Sequence, residues 1–443
     1  MHSAFFNRGS VATQEYARRF QNVPPSKAGP GAYEWLSRGL LEALVAFLGR
    51  AGDGWEIHGA VYEFQWLPAL KALKDAAGRG AKVTVLFDNI EVYDKQGRPD
   101  GPWDANRKAI EAAELTALCR GRGNGKLMHN KFFVLSQGEE PVAVWTGSTN
   151  LTENGIFGHS NVGHIVEDPQ IARAYLEYWK RLADDPVVAK EYRTSNMTAT
   201  PAPPQPWETV TTAVFSPRGT TLDALHWYAE VADGARDALF MTFAFGMHPL
   251  FKDVYRKDDG VLRMALMEKE RNNSRTLEQD KKDIQEIRNR PNVVIALGNR
   301  IVTNSFDRWV GEMSKLTDHV NVYWIHTKYM LVDPLGDTPT VIVGSANFSK
   351  ASTDTNDENM LVIRGDKRIA DIFFGEYMRL YTHYAFRESV RRYIERKKAG
   401  LATDEWKPQF LVNDDSWMDP YVDADDTSAR YARRAYFSGP MAV

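Results

Sequence analysis

An α/β fold made of two duplicated lobes is what this sequence predicts, and three observations predict it. Helical and strand-like apolar periods alternate through the first half of the chain. A Pro-rich stretch near the midpoint is followed by the same order again. And a pattern of His-x-Lys followed by Gly-Ser-x-Asn occurs once in each half, at one spacing.

A chain of 443 residues is long enough for two packed cores. Its 43% hydrophobic and 26% charged residues, with 12 Trp, are those of an ordinary globular protein and exclude a disordered one. A net charge of -3 argues against a surface built to coat nucleic acid and leaves room for a local basic groove. The single cysteine, Cys119, excludes an internal disulfide framework and cysteine zinc clusters. The opening MHSAFFNRGSVATQEYARRF lacks the pattern of a secretory leader, and no stretch reaches the roughly 18 uninterrupted apolar residues of a spanning helix. The expectation is a cytoplasmic protein without a spanning segment.

Taken in order, periodicity predicts a helix through EWLSRGLLEALVAFLGR, a strand at WEIHGAVYEF, a helix at LPALKALKDAAGRG and a strand at KVTVLFDN. This is the βαβ signature of a largely parallel sheet. TATPAPPQPWE, residues 198–208, is too rich in Pro for helix or strand and reads as a linker. After it come a helix at TLDALHWYAEVADGA, a strand at ALFMTFAF, a helix near HPLFKDVYR and a strand at GVLRMALMEK. The expected division is therefore a first lobe over 1–197, the linker, a second lobe over 209–400, and a tail over 401–443 without a counterpart. The charge-dense stretch 267–291 reads as an exposed helix.

The motifs make the duplication quantitative. MHNKFFVLS carries His129 and Lys131, and IHTKYMLVD carries His326 and Lys328; each leads through a turn into an apolar strand ending in Gly-Ser-x-Asn. From 129 to 147 and from 326 to 344, His to Gly, is 18 positions in each copy. Alternation along a strand puts each histidine on the same side as its lysine, so each copy presents a base beside a cation. Ser148, Asn150, Ser345 and Asn347 offer neutral donors, and with the lysines would clamp an anionic phosphate. Asp333 stands at opposite parity beside a turn and is suited to holding that turn; the first copy has Ser136 there. Lysine beside histidine makes a poor cation site, so no metal or other cofactor is expected. His159 and His164 read as loop and strand histidines, and Asp354 and Asp357 as solvated loop carboxylates.

These residues resemble the phospholipase D superfamily, which uses HxKxxxxD followed by GSxN. The second copy fits throughout; the first departs from it at Ser136. The resemblance spans roughly residues 30–400. It implies two α/β/α sandwich lobes with mixed, mainly parallel sheets, related by a pseudo-twofold axis, and one active site at their seam within a monomer. It also implies catalytic roles for His129, Lys131, His326, Lys328 and Asp333, with a phosphohistidine intermediate formed without metal. Family members carry a carboxylate on the strand after GSxN, which here is Glu358 in NDENMLVI. Aligning Asn161 with Asn359 sets Ser160 opposite Glu358, so Glu358 is expected to orient His326 as acid and base, leaving His129 as nucleophile.

The substrate expected is a phosphodiester, first a phospholipid headgroup, second a nucleic acid. Trp66, Phe157, Trp309 and Trp324 could touch acyl chains or a membrane surface, or equally be core. The run CRGRGNGKLMHNK, with Arg120, Arg122 and Lys126, could track a nucleic-acid backbone or be a solvated connection. An inactive phosphate-binding module is a third reading, favoured by Ser136 and Ser160.

Overall fold

The structure, a computed structural model, describes residues 1–200, 211–269, 277–298, 324–400, 414–425 and 429–439. Most of the expected linker, Trp309 and parts of the tail lie outside the described residues.

The first lobe's sheet contains β1 (His2–Phe6), β2 (Trp55–Val61), β3 (Lys82–Asp88), β4 (Cys119–Arg122), β5 (Lys131–Gln137), β6 (Glu140–Gly147) and β7 (Val162–Val166), in the order β1-β7-β6-β5-β2-β3-β4. The second contains β8 (Thr211–Ser216), β9 (Ala238–Phe243), β10 (Leu262–Met267), β11 (Val293–Leu297), β12 (Tyr329–Val332), β13 (Thr340–Gly344) and β14 (Glu358–Arg364), in the order β11-β10-β9-β12-β13-β14-β8. Matched one to one, β8 through β14 repeat β1 through β7. The two-lobed fold expected from the sequence is present.

Strand sense departs from the expectation of mainly parallel sheets. Only β2–β3–β4 and β9–β10–β11 run parallel; the other pairs, β1–β7, β7–β6, β6–β5, β5–β2 and their repeats, are antiparallel. The reason lies in the connections: tight turns after Gln137 and Val332 can join only antiparallel neighbours, whereas helices carry the chain between β2 and β3 and between β9 and β10. The helix expected over EWLSRGLLEALVAFLGR is two, Pro30–Ser37 and Leu40–Gly49, because Arg38 and Gly39 take left-handed backbone at φ 53° and 92°. The helix Lys190–Ala199 runs into the first two residues of the expected linker. In the charge-dense stretch the helix Leu277–Arg288 is amphipathic, burying Asp280, Ile284 and Ile287.

The lobes share a core. Phe132, Tyr175 and Tyr178 of the first and Phe215, Tyr329, Phe373 and Tyr377 of the second belong to one buried cluster. Within it Tyr178 stacks on Phe215, with ring centroids 4.3 Å apart. Phe157 and Trp324 are buried in this cluster rather than available to a membrane, while Trp66 is partly buried against it. No helix among the described residues is long and apolar enough to cross a membrane.

Candidate active site

The two His-x-Lys segments meet at the seam because each is laced by backbone hydrogen bonds to the opposite lobe. His129 N–H donates to Asp357 O and Asp357 N–H to Leu127 O, both at 2.9 Å. In the mirror arrangement Ser160 N–H donates to Trp324 O at 2.8 Å and His326 N–H to Ser160 O at 3.2 Å. Each histidine thus stands just ahead of its strand, against the residues that lead into the other lobe's β7 or β14.

The glycines of Gly-Ser-x-Asn make the approach possible. A Cβ on Gly147 would lie 2.2 Å from Val162 O, and one on Gly344 2.2 Å from Asn359 O.

Side chains repeat the crossover. His129 Nδ1 lies 2.9 Å from Glu358 Oε2, an oxygen that also accepts from Ser345 Oγ at 2.7 Å. His326 Nδ1 lies 2.9 Å from Asn161 Oδ1, which accepts from Ser148 Oγ at 2.8 Å. Asn161 gives its Nδ2 to Gly155 O at 2.7 Å, so its Oδ1 must be the acceptor toward His326. Both imidazoles therefore carry hydrogen on Nδ1 and keep Nε2 as the basic nitrogen.

This corrects three expectations. Glu358 holds His129, not His326; from 148 to 161 and from 345 to 358 is 13 positions, so the true counterpart of Glu358 is Asn161, one residue beyond Ser160. Ser148 and Ser345 are fully buried and turned toward Asn161 and Glu358, so they brace the orienting groups instead of touching a phosphate. Asp333 lies at the far end of β12, where its carboxylate accepts from the N–H groups of Arg236, Asp237 and Ala238 at 2.8–3.2 Å. It fastens the start of β9 to the turn, at the end of β12 away from His326. Ser136 sits at the matching far end of β5, beside a bulge.

The lysines are buried at the centre. Lys131 Nζ donates to His129 O and Lys328 Nζ to His326 O, each at 2.5 Å. Tyr62 covers one side, its ring centroid 4.9 Å from that of His129 and 5.1 Å from Lys131 Nζ. Burial, only partly opposed by Glu358, lowers His129 to about 4. Burial lowers Lys131 to about 7 against the pull of Glu358 and Glu63. His326 falls well below its ordinary value through burial and then the charge of Lys328, and Lys328 falls through burial and then Lys131. Both shifts favour the neutral imidazole at pH 7.

Several neighbours escaped sequence reasoning. Glu63, just after β2, takes the Asn150 amide at 2.7 Å. The ring of His159, read from the sequence only as a loop or strand histidine, lies tilted beside that of His326 with centroids 5.4 Å apart. Arg122 is buried and paired with Asp357 at 3.0 Å and Asp185 at 2.6 Å, so it is spent on structure and cannot track a nucleic acid. Asp354 and Asp357, expected in solvent, are buried; Asp357 also accepts from Tyr192 Oη at 2.9 Å. Arg120 and Lys126 remain exposed.

Fold and paired motifs define a two-lobed member of the phospholipase D superfamily. The family model described as "Cardiolipin synthase, PLD-like domain" matches residues 44–183 and 271–379, and the chain belongs to that family, whose members process phosphodiesters as phosphodiesterases and transferases. Among solved structures, phosphatidylserine synthase from Haemophilus influenzae Rd KW20 matches with a TM-score of 0.53 at 12% identity, over 82% of this chain and 92% of that one, a likeness of fold. Polyphosphate kinase from Porphyromonas gingivalis matches with a TM-score of 0.45 at 14% identity over 77% of this chain, which spans 44% of the kinase. The phospholipase D family member Nuc from Salmonella typhimurium matches with a TM-score of 0.27 at 22% identity, over 33% of this chain and 87% of that one. No curated protein sequence matches the chain.

Proposed function

We propose that the protein is a metal-independent phosphodiesterase working through a phosphohistidine, with a phospholipid headgroup as the bond cleaved. The observation that carries this reading is the crossed bracing of His129 by Glu358 and of His326 by Asn161 through Nδ1, which keeps the Nε2 of each imidazole as its basic nitrogen, with Lys131 and Lys328 buried beside the two histidines.

His129 Nε2 attacks phosphorus, and the bond to the leaving alkoxide breaks as His326 supplies the proton. The nucleophile is the same as expected from sequence, for the opposite reason. Glu358 offsets the positive charge that develops on an imidazole bonded to phosphorus, which neutral Asn161 cannot do for His326. Burial and Lys328 favour neutral His326, and the negative charge of a bound phosphodiester favours the protonated form it needs. In the second step His326 takes a proton from water, the oxygen attacks phosphorus, and the P–N bond breaks. Lys131, Lys328 and Asn347 hold the non-bridging oxygens. One chain supplies both histidines, so the site calls for no second copy.

Arg122 is removed from the basic run, which weakens the nucleic-acid reading relative to the lipid one. Ser136 lies far from the histidines, which weakens the inactive-module reading. The test is turnover, in chelator, of short-chain phosphatidylcholine and phosphatidylethanolamine beside labelled single-stranded DNA and RNA, with His129→Ala as the blank. Lipid turnover that vanishes in the blank is expected. Nucleic-acid turnover alone moves the assignment to a nuclease, and turnover of neither sinks the enzymatic reading for these substrates.

A further inference from the structure

The lobes are duplicated but the two halves of the site differ in sign. After β2 comes Tyr62 and then Glu63; two residues after β9 stands Phe245. The registers make the positions equivalent, since Val61 faces Lys131 and the β9–β12 ladder sets Phe243 level with Lys328. A carboxylate in one half thus answers to a phenyl ring in the other.

Glu63 alters what Asn150 can offer. The Asn150 amide nitrogen donates to Glu63 Oε2 at 2.7 Å, and Thr152 Oγ1 donates to the same oxygen at 3.4 Å. Asn150 itself is 6% exposed, and its Oδ1 is buried with no hydrogen-bond partner. Asn347 Oδ1 in the other half is likewise buried with no hydrogen-bond partner, but its amide nitrogen has no carboxylate on it among the described residues. The amide nitrogen left for a phosphate in one half is therefore tied to a carboxylate in the other, where only the carboxylate and the amide oxygen remain to be offered. Two acceptors do not suit phosphate oxygens, because their charge and lone pairs repel. They suit a group rich in N–H donors. Tyr62 next to Glu63 lies over Lys131 Nζ, 5.1 Å from the ring centroid, so the carboxylate rather than that ring face is what remains for a second cation.

We propose that Glu63, with Asn150 Oδ1, is a specificity-determining pair that recognises an ammonium group on the alcohol of the scissile phosphodiester, while the phosphate rests on the Asn347 side. The inference rests on the phosphodiesterase reading for what the cleft holds, and it names the headgroup class of that substrate: primary amino-alcohols before neutral polyols.

The test is calorimetric titration of the full chain with phosphoethanolamine and with methyl phosphate, which share the phosphate and differ in the ammonium. The wild type is expected to bind phosphoethanolamine roughly 10-fold more tightly. Glu63→Gln is expected to bring that ratio to about one, weakening phosphoethanolamine while tightening methyl phosphate, because an anion beside the lysines is gone. Loss of folding alone would weaken both. Should the Gln variant not fold, Glu63→Asp carries the test, its shorter carboxylate reducing the preference. Equal binding of the two ligands by the wild type, or an unchanged ratio in the folded variant, overturns the proposal. Preference for phosphoethanolamine without any lipid turnover keeps the ammonium site and sinks only the lipid reading; lipid turnover without preference does the reverse. Turnover of dihexanoyl phosphatidylethanolamine against glycerophosphoethanolamine separates a lipid headgroup from its soluble diester, and loss of that turnover relative to the matching phosphatidylglycerol or glycerophosphoglycerol substrate in Glu63→Gln supports the ammonium site in either case.

Discussion

Replacing Glu358 by Gln removes one charge from the site and almost no volume. The carboxylate accepts from His129 Nδ1 at 2.9 Å and from Ser345 Oγ at 2.7 Å, inside a region without solvent. A buried hydrogen bond to an ionised group contributes about 1.5–3 kcal/mol and a neutral one about 0.5–1.5 kcal/mol, so the change costs the charged imidazole about 1–2 kcal/mol. That loss falls on the phosphohistidine and the transition state leading to it, where His129 is cationic, and much less on the resting enzyme. The expected consequence is a kcat lowered roughly 5–30-fold with KM little changed. Imidazole 15N shifts provide the second readout: the His129 signals should move and those of His326 stay. A shift confined to His326, or a kcat within twofold of wild type, refutes the reasoning.

Further outcomes follow from the same geometry. Asp333→Ala leaves three backbone N–H groups at the start of β9 without their acceptor and is expected to lower unfolding free energy by about 1–3 kcal/mol with kcat unchanged; a dead but fully stable variant would return Asp333 to the chemistry. Arg122→Met strands Asp357 and is expected to cost about 3–5 kcal/mol in denaturant unfolding, whereas a neutral result would mean that the ion pair is dispensable. His129 and His164 are held near 4 and 3 by burial, below the unfolded value of 6.5. The unfolded chain therefore binds more protons as the solution is acidified. Their contribution is intact above pH 6.5 and lost on going down through pH 4 to 3, so Tm should fall across that window; a flat Tm contradicts their neutral burial.

The duplicated chemistry was legible because it is written in local spacing. His129, Lys131, His326, Lys328 and the glycines that close β6 and β13 recur at equal separations, and equal separations survive folding. Which lobe braces which histidine was not legible, because the crossover exists only once Met128 lies beside Asp357 and Ser160 beside Ile325. The equal intervals to Asn161 and Glu358 were available in the sequence, but the tempting alignment of Asn161 with Asn359 hid them. Strands β1 and β8 also went unread: HSAFF and TTAVFS are short and lack a full alternation, and they become strands by pairing with the edges of β7 and β14. Glu63 carried no signal, since an acidic residue near the end of the predicted strand WEIHGAVYEF normally faces solvent. Its contact with Asn150 is a tertiary result.

The most direct test is to quench the enzyme during turnover of short-chain phosphatidylethanolamine and map phosphorylated peptides under conditions that preserve P–N bonds, using His326→Ala to slow the second displacement. A phosphate on the peptide containing His129, absent from His129→Ala, is the expected result. A phosphate on the His326 peptide of the wild type would exchange the roles of the two histidines, and turnover with no phosphorylated histidine at all would contradict the covalent mechanism.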